Sequence, residues 1–293
     1  MFQVVDVCES EPCRRARRLK KKCEGLKSAA SIKRLQAPLS TAIVSDKHRV
    51  IFCYVPKVAS SNIRRTLMIM EGVIDKPQPG DISHQELQQN FRKLKSVDSY
   101  SSVKADFRFR TYEKVIFVRE PIERLISTFN DRFIYTPTEY YENVSLEIIN
   151  KLGIQVNSPN KYQLKFSNFI RYLILNNETK TQFDIHWRGY SYLCDPCKVQ
   201  YSFVGKYETI DEDMNLLLKK IGADYINFPK REHFPYYNRT PSASFIETYF
   251  RDVPFDDVRQ LVKMYFNDMD LFDYKLPTAL EQLYGPRVQE LVN

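Results

Sequence analysis

No stretch of about 18 apolar residues occurs in the 293-residue sequence, so no segment reads as a membrane span. The longest apolar run, VIFCYV, has only the length of a strand. The opening residues, MFQVVDVCES, are too short and too polar for a signal peptide. Glycine is scarce at eight residues and no repeat period is visible, which excludes collagenous and solenoid architectures. No G-x-x-x-x-G-K-[ST] string exists, so the chain lacks the loop that wraps a triphosphate. Histidines number four, and the close pair in CDPC has no second close Cys or His pair after it, which argues against zinc.

What is present points to a folded, mildly basic protein. Apolar residues make up 43% and aromatics 13%, enough to bury a core that offsets the entropy of ordering. The net charge is +8, and part of it sits in RRARRLKKK, residues 14–22, which reads as a solvated stem; a polyanion-binding patch or nuclear signal is the sharper alternative. Cys8, Cys13, Cys23, Cys194 and Cys197 lie in polar, loop-like contexts, as disulfide partners do, whereas Cys53 lies in a strand and reads as a buried thiol. CDPC itself fits a redox motif or half a zinc site, the second disfavoured by the lack of a second close pair. Sequons at Asn143, Asn177 and Asn238 lean toward a secretory lumen.

Residues 1–48 lack sustained periodicity and are expected to be a basic stem or linker, with one folded domain over 49–293. RVIFCYV predicts a buried strand, and SSNIRRTLMIM a helix with Ile63, Leu67 and Met70 on one face. KVIFV and PIERLISTFNDRF repeat that grammar, with Pro121 at the first helical position. YSFVGKYETI and DEDMNLLLKKIGA repeat it again, the helix opening on an acidic turn and ending near Gly222. Three strand-loop-helix units predict an α/β domain with a P-loop-like parallel sheet flanked by helices, whose ligands sit at the carboxyl ends of the strands. Residues 134–200 read as an insertion carrying substrate contacts, and the last 50 residues as a helical close.

Two of those strand ends carry anion chemistry. In CYVPKVASSNIRR, Lys57 follows a strand, and Ser60, Ser61 and Asn62 fall at the cap and first turn of the next helix. Open backbone N–H groups, the positive end of the helix dipole and small hydroxyls make a cradle for one phosphate or sulfate. In FVREPIERLISTFNDRF, Arg119 ends a strand and Ser127 lies two helical turns on, a fork and a hydroxyl for a second phosphate. Arg119, Glu123 and Arg124 equally suit surface ion pairs. Two such seats on neighbouring strand ends suit a nucleotide with phosphates at both ends of its ribose.

These two blocks resemble the 5′-phosphosulfate loop and the 3′-phosphate motif of Golgi carbohydrate sulfotransferases that use 3′-phosphoadenosine-5′-phosphosulfate (PAPS). HWRGYSYLCDPC, FVGKYETIDED and YFRDVPFDDVRQLVKMYFNDMDLFDY are similar in order and spacing to the chondroitin/dermatan 4-O and HNK-1 branch of that family, over roughly residues 49–276. The resemblance implies the PAPS-dependent sulfotransferase fold. It implies PAPS without a metal, Lys57 on the bridging and sulfuryl oxygens, Pro56, Val58, Ala59, Ser60, Ser61 and Asn62 around the 5′-phosphosulfate, and Arg119 and Ser127 on the 3′-phosphate. The chain departs from the branch in having Ser60, Ser61 and Ile63 where Cys, Thr and Trp are usual, which removes an aromatic contact.

For a base, His84 stands at the start of a helix in ISHQELQQNF, with Ser83 and Glu86 as a capping box and Leu87, Phe91 and Leu94 as the buried face. The helix dipole disfavours imidazolium there and leaves a ring able to take a proton. His186 is the reserve base, while a sugar-stacking role fits His186 and Trp187 equally; His48 and His233 are peripheral. Arg64, Arg65, Arg108, Arg110, Lys161, Lys165 and Arg188 are candidate contacts to a sugar polymer, Arg188 first among them. The expected reaction is sulfuryl transfer from PAPS to a glycosaminoglycan or glycoprotein glycan, at the 4-position of N-acetylgalactosamine in chondroitin-type chains. An HNK-1-type or other N-glycan acceptor, a kinase, and a polyanion-binding module without turnover are the alternatives. No nucleic-acid partner is expected. The family implies the Golgi lumen and a single N-terminal anchor that this sequence does not show, so a trimmed N-terminus is expected.

Overall fold

The computed structural model describes residues 9–27, 39–155, 164–176, 184–230 and 243–291. In chain order the helices are α1 (Glu11–Lys27), α2 (Ser60–Met70), α3 (His84–Asn90), α4 (Ser102–Thr111), α5 (Pro121–Phe129), α6 (Glu139–Leu152) and α7 (Phe166–Leu175). After them come α8 (Tyr190–Cys194), α9 (Pro196–Val199), α10 (Ile210–Lys220), α11 (Ala243–Phe250), α12 (Phe255–Leu271) and α13 (Thr278–Tyr284). The strands are β1 (Ala42–Ser45), β2 (Val50–Cys53), β3 (Glu113–Val118) and β4 (Phe203–Lys206). Within this α/β architecture the chain sorts into two compact units, residues 1–119 with 190–238, and residues 120–189 with 239–293.

The first unit holds the sheet, in the order β1-β2-β3-β4. β2, β3 and β4 run parallel, with Phe52 opposite Val115 and Phe117 opposite Gly205, as the three-unit reading predicts. Their near-continuous apolar composition follows from burial on both faces. Gly205 is required at its place, because a Cβ there would lie 2.2 Å from the Phe117 ring. β1 pairs antiparallel with β2 from Ala42 opposite Cys53 to Ser45 opposite Val50, an edge strand that falls inside the expected stem.

The stem expectation for residues 1–48 is corrected a second time by α1. Cys13, Ala16, Leu19 and Cys23 recur at helical spacing and are buried, while the basic residues between them stay outside. The stripe is made of small side chains, so the charges around it dominate the local composition. Two long-range links fix the helix to the unit. Cys23 is disulfide-bonded to Cys197, and the Arg15 guanidinium donates to Asp213 at 2.5 Å. Cys53 is likewise no free thiol but is joined to Cys194. The two cysteines of CDPC therefore serve different partners, which removes both the redox and the metal readings of that motif.

The second unit is helical. Ile122, Leu125, Ile126 and Phe129 of α5 form its buried stripe as expected, and a π-helical turn over Asn130–Tyr135 adds Phe133. Phe129, Phe133, Phe169 and Trp187 pack with ring centroids 5.2–6.3 Å apart. α6 and α7 occupy much of what the sequence presents as an insertion, and α11, α12 and α13 supply the helical close.

Candidate functional site

In the first unit the chain leaves β2 through buried Val55 and Pro56 and turns at half-buried Lys57. Lys57 has φ 71° and Ala59 φ 57°, so the loop adopts the left-handed conformation twice without glycine. Such conformations cost a side-chain-bearing residue about 1–2 kcal/mol each and persist where the surroundings enforce them. The absence of glycine thus reflects tolerated backbone strain as well as a short cradle. Ala59, not Ser60, is the N-cap, and its carbonyl accepts from Asn62 and Ile63 N–H groups. No side chain caps the helix. Among the described residues the N–H groups and hydroxyls of Ser60 and Ser61 make no hydrogen bond. Val58 and Ala59 are buried beneath the turn. The Asn62 amide oxygen accepts from Arg65 at 3.1 Å, and Arg65 Nε donates to the Ile82 carbonyl at 2.8 Å.

Arg119, at the end of β3, is 4% exposed and donates from Nη1 to the Lys57 carbonyl at 3.5 Å. Its guanidinium lies 4.2 Å over the Tyr207 ring. The fully buried Tyr190 hydroxyl accepts from Arg119 N–H at 2.8 Å and donates to Arg119 C=O at 2.7 Å, closing both backbone groups at the strand end. Tyr190 opens α8, whose last residue is Cys194, joined to β2. The Thr41 hydroxyl donates to Leu193 C=O at 2.9 Å in the same helix. One short helix therefore holds the end of β2 through a disulfide and the end of β3 through a tyrosine. The sequence presents Tyr190 and Tyr207 inside quoted motifs, but nothing local marks their roles.

His84 begins α3, and Ser83 and Glu86 form the expected capping box, with Leu87 buried against Met68 and Ile82. His84 itself is exposed, and its Nε2 lies 3.4 Å from Gln88 Nε2. It makes no hydrogen bond to the Lys57 loop or to Arg119. A cleft of about 580 Å³ in this unit is lined by Gln78, Asp81, Asp211, Asn215, Asn227 and Lys230 among others, and no predicted site residue lies in its wall.

In the second unit the N-terminus of α5 is closed by its own cap. The Glu120 carboxylate accepts from Ile122 N–H at 3.0 Å and Glu123 N–H at 2.7 Å. Ser127 is half-buried, and its hydroxyl makes no hydrogen bond among the described residues. Arg124 is fully buried and donates to the Arg188 carbonyl, and with Arg119 buried too the surface ion-pair reading fails. Arg188 is half-buried and serves here through its backbone.

His186 and Trp187 are corrected by burial. Trp187 is 3% exposed within the aromatic core, and its carbonyl accepts from Tyr265 at 2.5 Å, so its ring is committed to packing rather than to a sugar face. His186 Nε2 lies 2.7 Å from Arg132 Nη2, which can only donate, and Nδ1 lies 2.6 Å from Asp184 Oδ1. Both ring nitrogens are thereby engaged by neighbouring side chains. Burial pushes the Asp184 carboxyl up, and the hydrogen bonds from His186 and Tyr141 outweigh it and hold it below its usual range.

The proposed polymer contacts are largely engaged. Arg64 stacks 3.7 Å over Tyr54, and Arg108 donates to Asp46 at 2.8 Å. Arg110 pairs with Asp106, and Lys165 with Asp252. Lys161, His233 and the sequons at Asn177 and Asn238 lie outside the described residues, whereas Asn143 is exposed on α6. His48 is tied to the Ile221 carbonyl at 3.0 Å. Among the described residues no cluster of three or more His, Cys, Asp or Glu side chains suits a metal ion, and no helix is long and apolar enough to cross a membrane.

The profile of the Sulfotransferase family matches residues 40–275. The chain is 34% identical over 253 residues to carbohydrate sulfotransferase 9 of Homo sapiens, covering 82% of this chain and 54% of that protein. It is 34% identical over 264 residues to carbohydrate sulfotransferase 12 of Mus musculus, covering 83% and 62%. Carbohydrate sulfotransferase 10 of Homo sapiens is 32% identical over 254 residues, covering 83% and 69%. The chain thus spans about half to two-thirds of the length of these relatives. No solved structure matches it.

Proposed function

Because the chain belongs to the sulfotransferase family, we propose that it moves a sulfuryl group from PAPS to a hydroxyl of a glycan. The observation that carries this reading lies in the first unit, where the Arg119 guanidinium reaches the carbonyl of Lys57 and so brings cations from two strand ends to one edge of the sheet. The N–H groups of Ser60 and Ser61, open among the described residues, and the adjacent lysine fit a compact, twice-charged group. PAPS supplies the sulfuryl group, and the chain supplies position and charge.

In the reaction the sulfur–oxygen bond to the donor phosphate breaks as a bond from the acceptor hydroxyl forms in line. Lys57 meets the charge that grows on the leaving phosphate, and the first turn of α2 holds the same group. Arg119 takes the 3′-phosphate. The acceptor proton goes to His84, which is exposed and whose ring nitrogens face no cation among the described residues. The finer reading of the acceptor is the 4-position of N-acetylgalactosamine in chondroitin or dermatan chains. The Golgi lumen is the compartment, supported by two long-range disulfides and the exposed sequon Asn143.

The test is transfer of labelled sulfate from PAPS onto a panel of desulfated glycans, followed by disaccharide analysis. Desulfated chondroitin is expected to be labelled at the 4-position. Lys57→Ala is expected to lower kcat by about 100-fold or more, as loss of a transition-state charge contact does. Undiminished turnover in that variant would overturn the reading of Lys57, and labelling of no glycan at all would overturn the activity.

A further inference from the structure

The basic helix α1 lies outside the matched family region and takes no part in the reaction described above. Between Glu11 and Glu24 it carries seven basic side chains against two acidic ones. Arg14, Arg17, Arg18, Lys20 and Lys21 are exposed. At 1.5 Å per residue, Arg14 to Lys21 spans about 10 Å along the axis, so the charges form a short ladder rather than a point. Lys20 and Lys21 have no ion-pair partner among the described residues. Glu11 engages Arg14 at 2.9 Å and Arg18 at 2.6 Å, which leaves the C-terminal part of the ladder the more positive.

We propose that the exposed face of α1 is a docking surface for an anionic polysaccharide, a segment of the acceptor chain away from the hydroxyl being modified. The proposal rests on the glycan-acceptor reading for the identity of the polymer, but its first test does not depend on turnover. Three observations choose this occupant. The apolar stripe of α1, including Cys13, Ala16, Leu19 and Cys23, is buried on its own unit, so the helix has no apolar face to place in a bilayer. The helix contains no aromatic residue, so it has nothing on which bases could stack. A polymer of carboxylates and sulfates needs only a row of cations, and that is what the face presents.

The helix is also held ready. The Cys23–Cys197 disulfide and the Arg15–Asp213 ion pair fix it, so little ordering remains to be done when a chain binds. Asp213 accepts from Lys206 N–H at 2.8 Å as well, and Lys206 ends β4. The N-terminal half of α1 is therefore anchored at the carboxyl edge of the sheet, the edge that carries Lys57 and Arg119.

The experiment compares the wild-type chain with Arg17→Gln/Lys20→Gln/Lys21→Gln, which keeps helix propensity and leaves the Glu11 pairs intact. Retention on a column of immobilised chondroitin sulfate, without PAPS, is read first. The variant is expected to elute at clearly lower salt, and, with three exposed charges removed, KM for a long chondroitin chain is expected to rise roughly three- to tenfold. Turnover of a chondroitin tetrasaccharide, which brings few charges beyond the reacting sugar, is expected to be unchanged. A Lys20→Arg/Lys21→Arg variant, which keeps the charges, is expected to behave as wild type.

Equal elution of triple variant and wild type overturns the proposal, as does wild-type retention on anionic phosphatidylserine vesicles or single-stranded DNA that matches or exceeds retention on chondroitin sulfate. If no glycan is sulfated but column retention still depends on these residues, the activity falls and the docking surface stands. If both acceptors are turned over with the same KM in variant and wild type, the docking surface falls and the activity stands.

Discussion

Two strand-to-helix junctions in this protein are built from similar parts and do opposite things with them. At the junction after β2, α2 starts without a side-chain cap, and Ser60 and Ser61 leave their N–H groups open among the described residues. At the junction after β3, Glu120 folds back onto its own helix and fills the place an anion would take. The first junction leaves its backbone open among the described residues. The second withholds its backbone and offers only the Arg119 side chain. A helix N-terminus is thus an anion seat only where the chain declines to cap it, and an acidic residue at the cap position is the local sign that it has not declined.

The comparison can be broken at Tyr190, where the largest change in stability is expected. Tyr190→Phe removes the hydroxyl that satisfies both Arg119 backbone groups, and leaving those groups buried and unpaired costs about 3 kcal/mol. Urea unfolding reads that loss, and calorimetry with desulfated donor is expected to show affinity falling along with it. A stability loss with untouched affinity would show that the end of β3 holds no ligand. Glu120→Ala is expected to destabilise by about 1 kcal/mol through the lost cap, with affinity for the desulfated donor unchanged. Weakened donor binding in that variant would erase the distinction between the junctions.

Ala59→Gly is the finest probe. Glycine relieves the left-handed strain but loosens the unfolded chain, so stability is expected to move by less than about 0.5 kcal/mol, with turnover retained. A large loss of activity with the fold intact would mean that the Ala59 methyl group, and not only the backbone shape, places Lys57.

Much of this arrangement is legible in the sequence, for physical reasons that also mark where legibility ends. β2, β3 and β4 announce themselves because strands buried on both faces are nearly continuous apolar runs. α5 is readable from Pro121 and its wide apolar stripe, and α3 from its capping box. α1 is not, because its buried stripe of cysteine, alanine and leucine is weakly apolar and sits among seven basic residues. Cys53 misleads because a strand context says thiol while its partner stands 141 residues away. Trp187 beside a histidine looks like a sugar platform until Phe133 and Phe169 are brought against it. Tyr190 carries no local signal, since the bonds of its hydroxyl to Arg119 reach 71 positions back. What the sequence withholds in each case is a long-range partner.

The CDPC segment has a mechanical consequence. Its first cysteine is welded to the strand that ends four residues before Lys57, and its second to the basic helix. A continuous covalent strut therefore runs from α1 through Cys23, Cys197, Cys194 and Cys53 to the Lys57 turn. Tension applied by a long polymer at the helix would be borne by that strut, so the lysine and the surface that grips the chain would move as one piece.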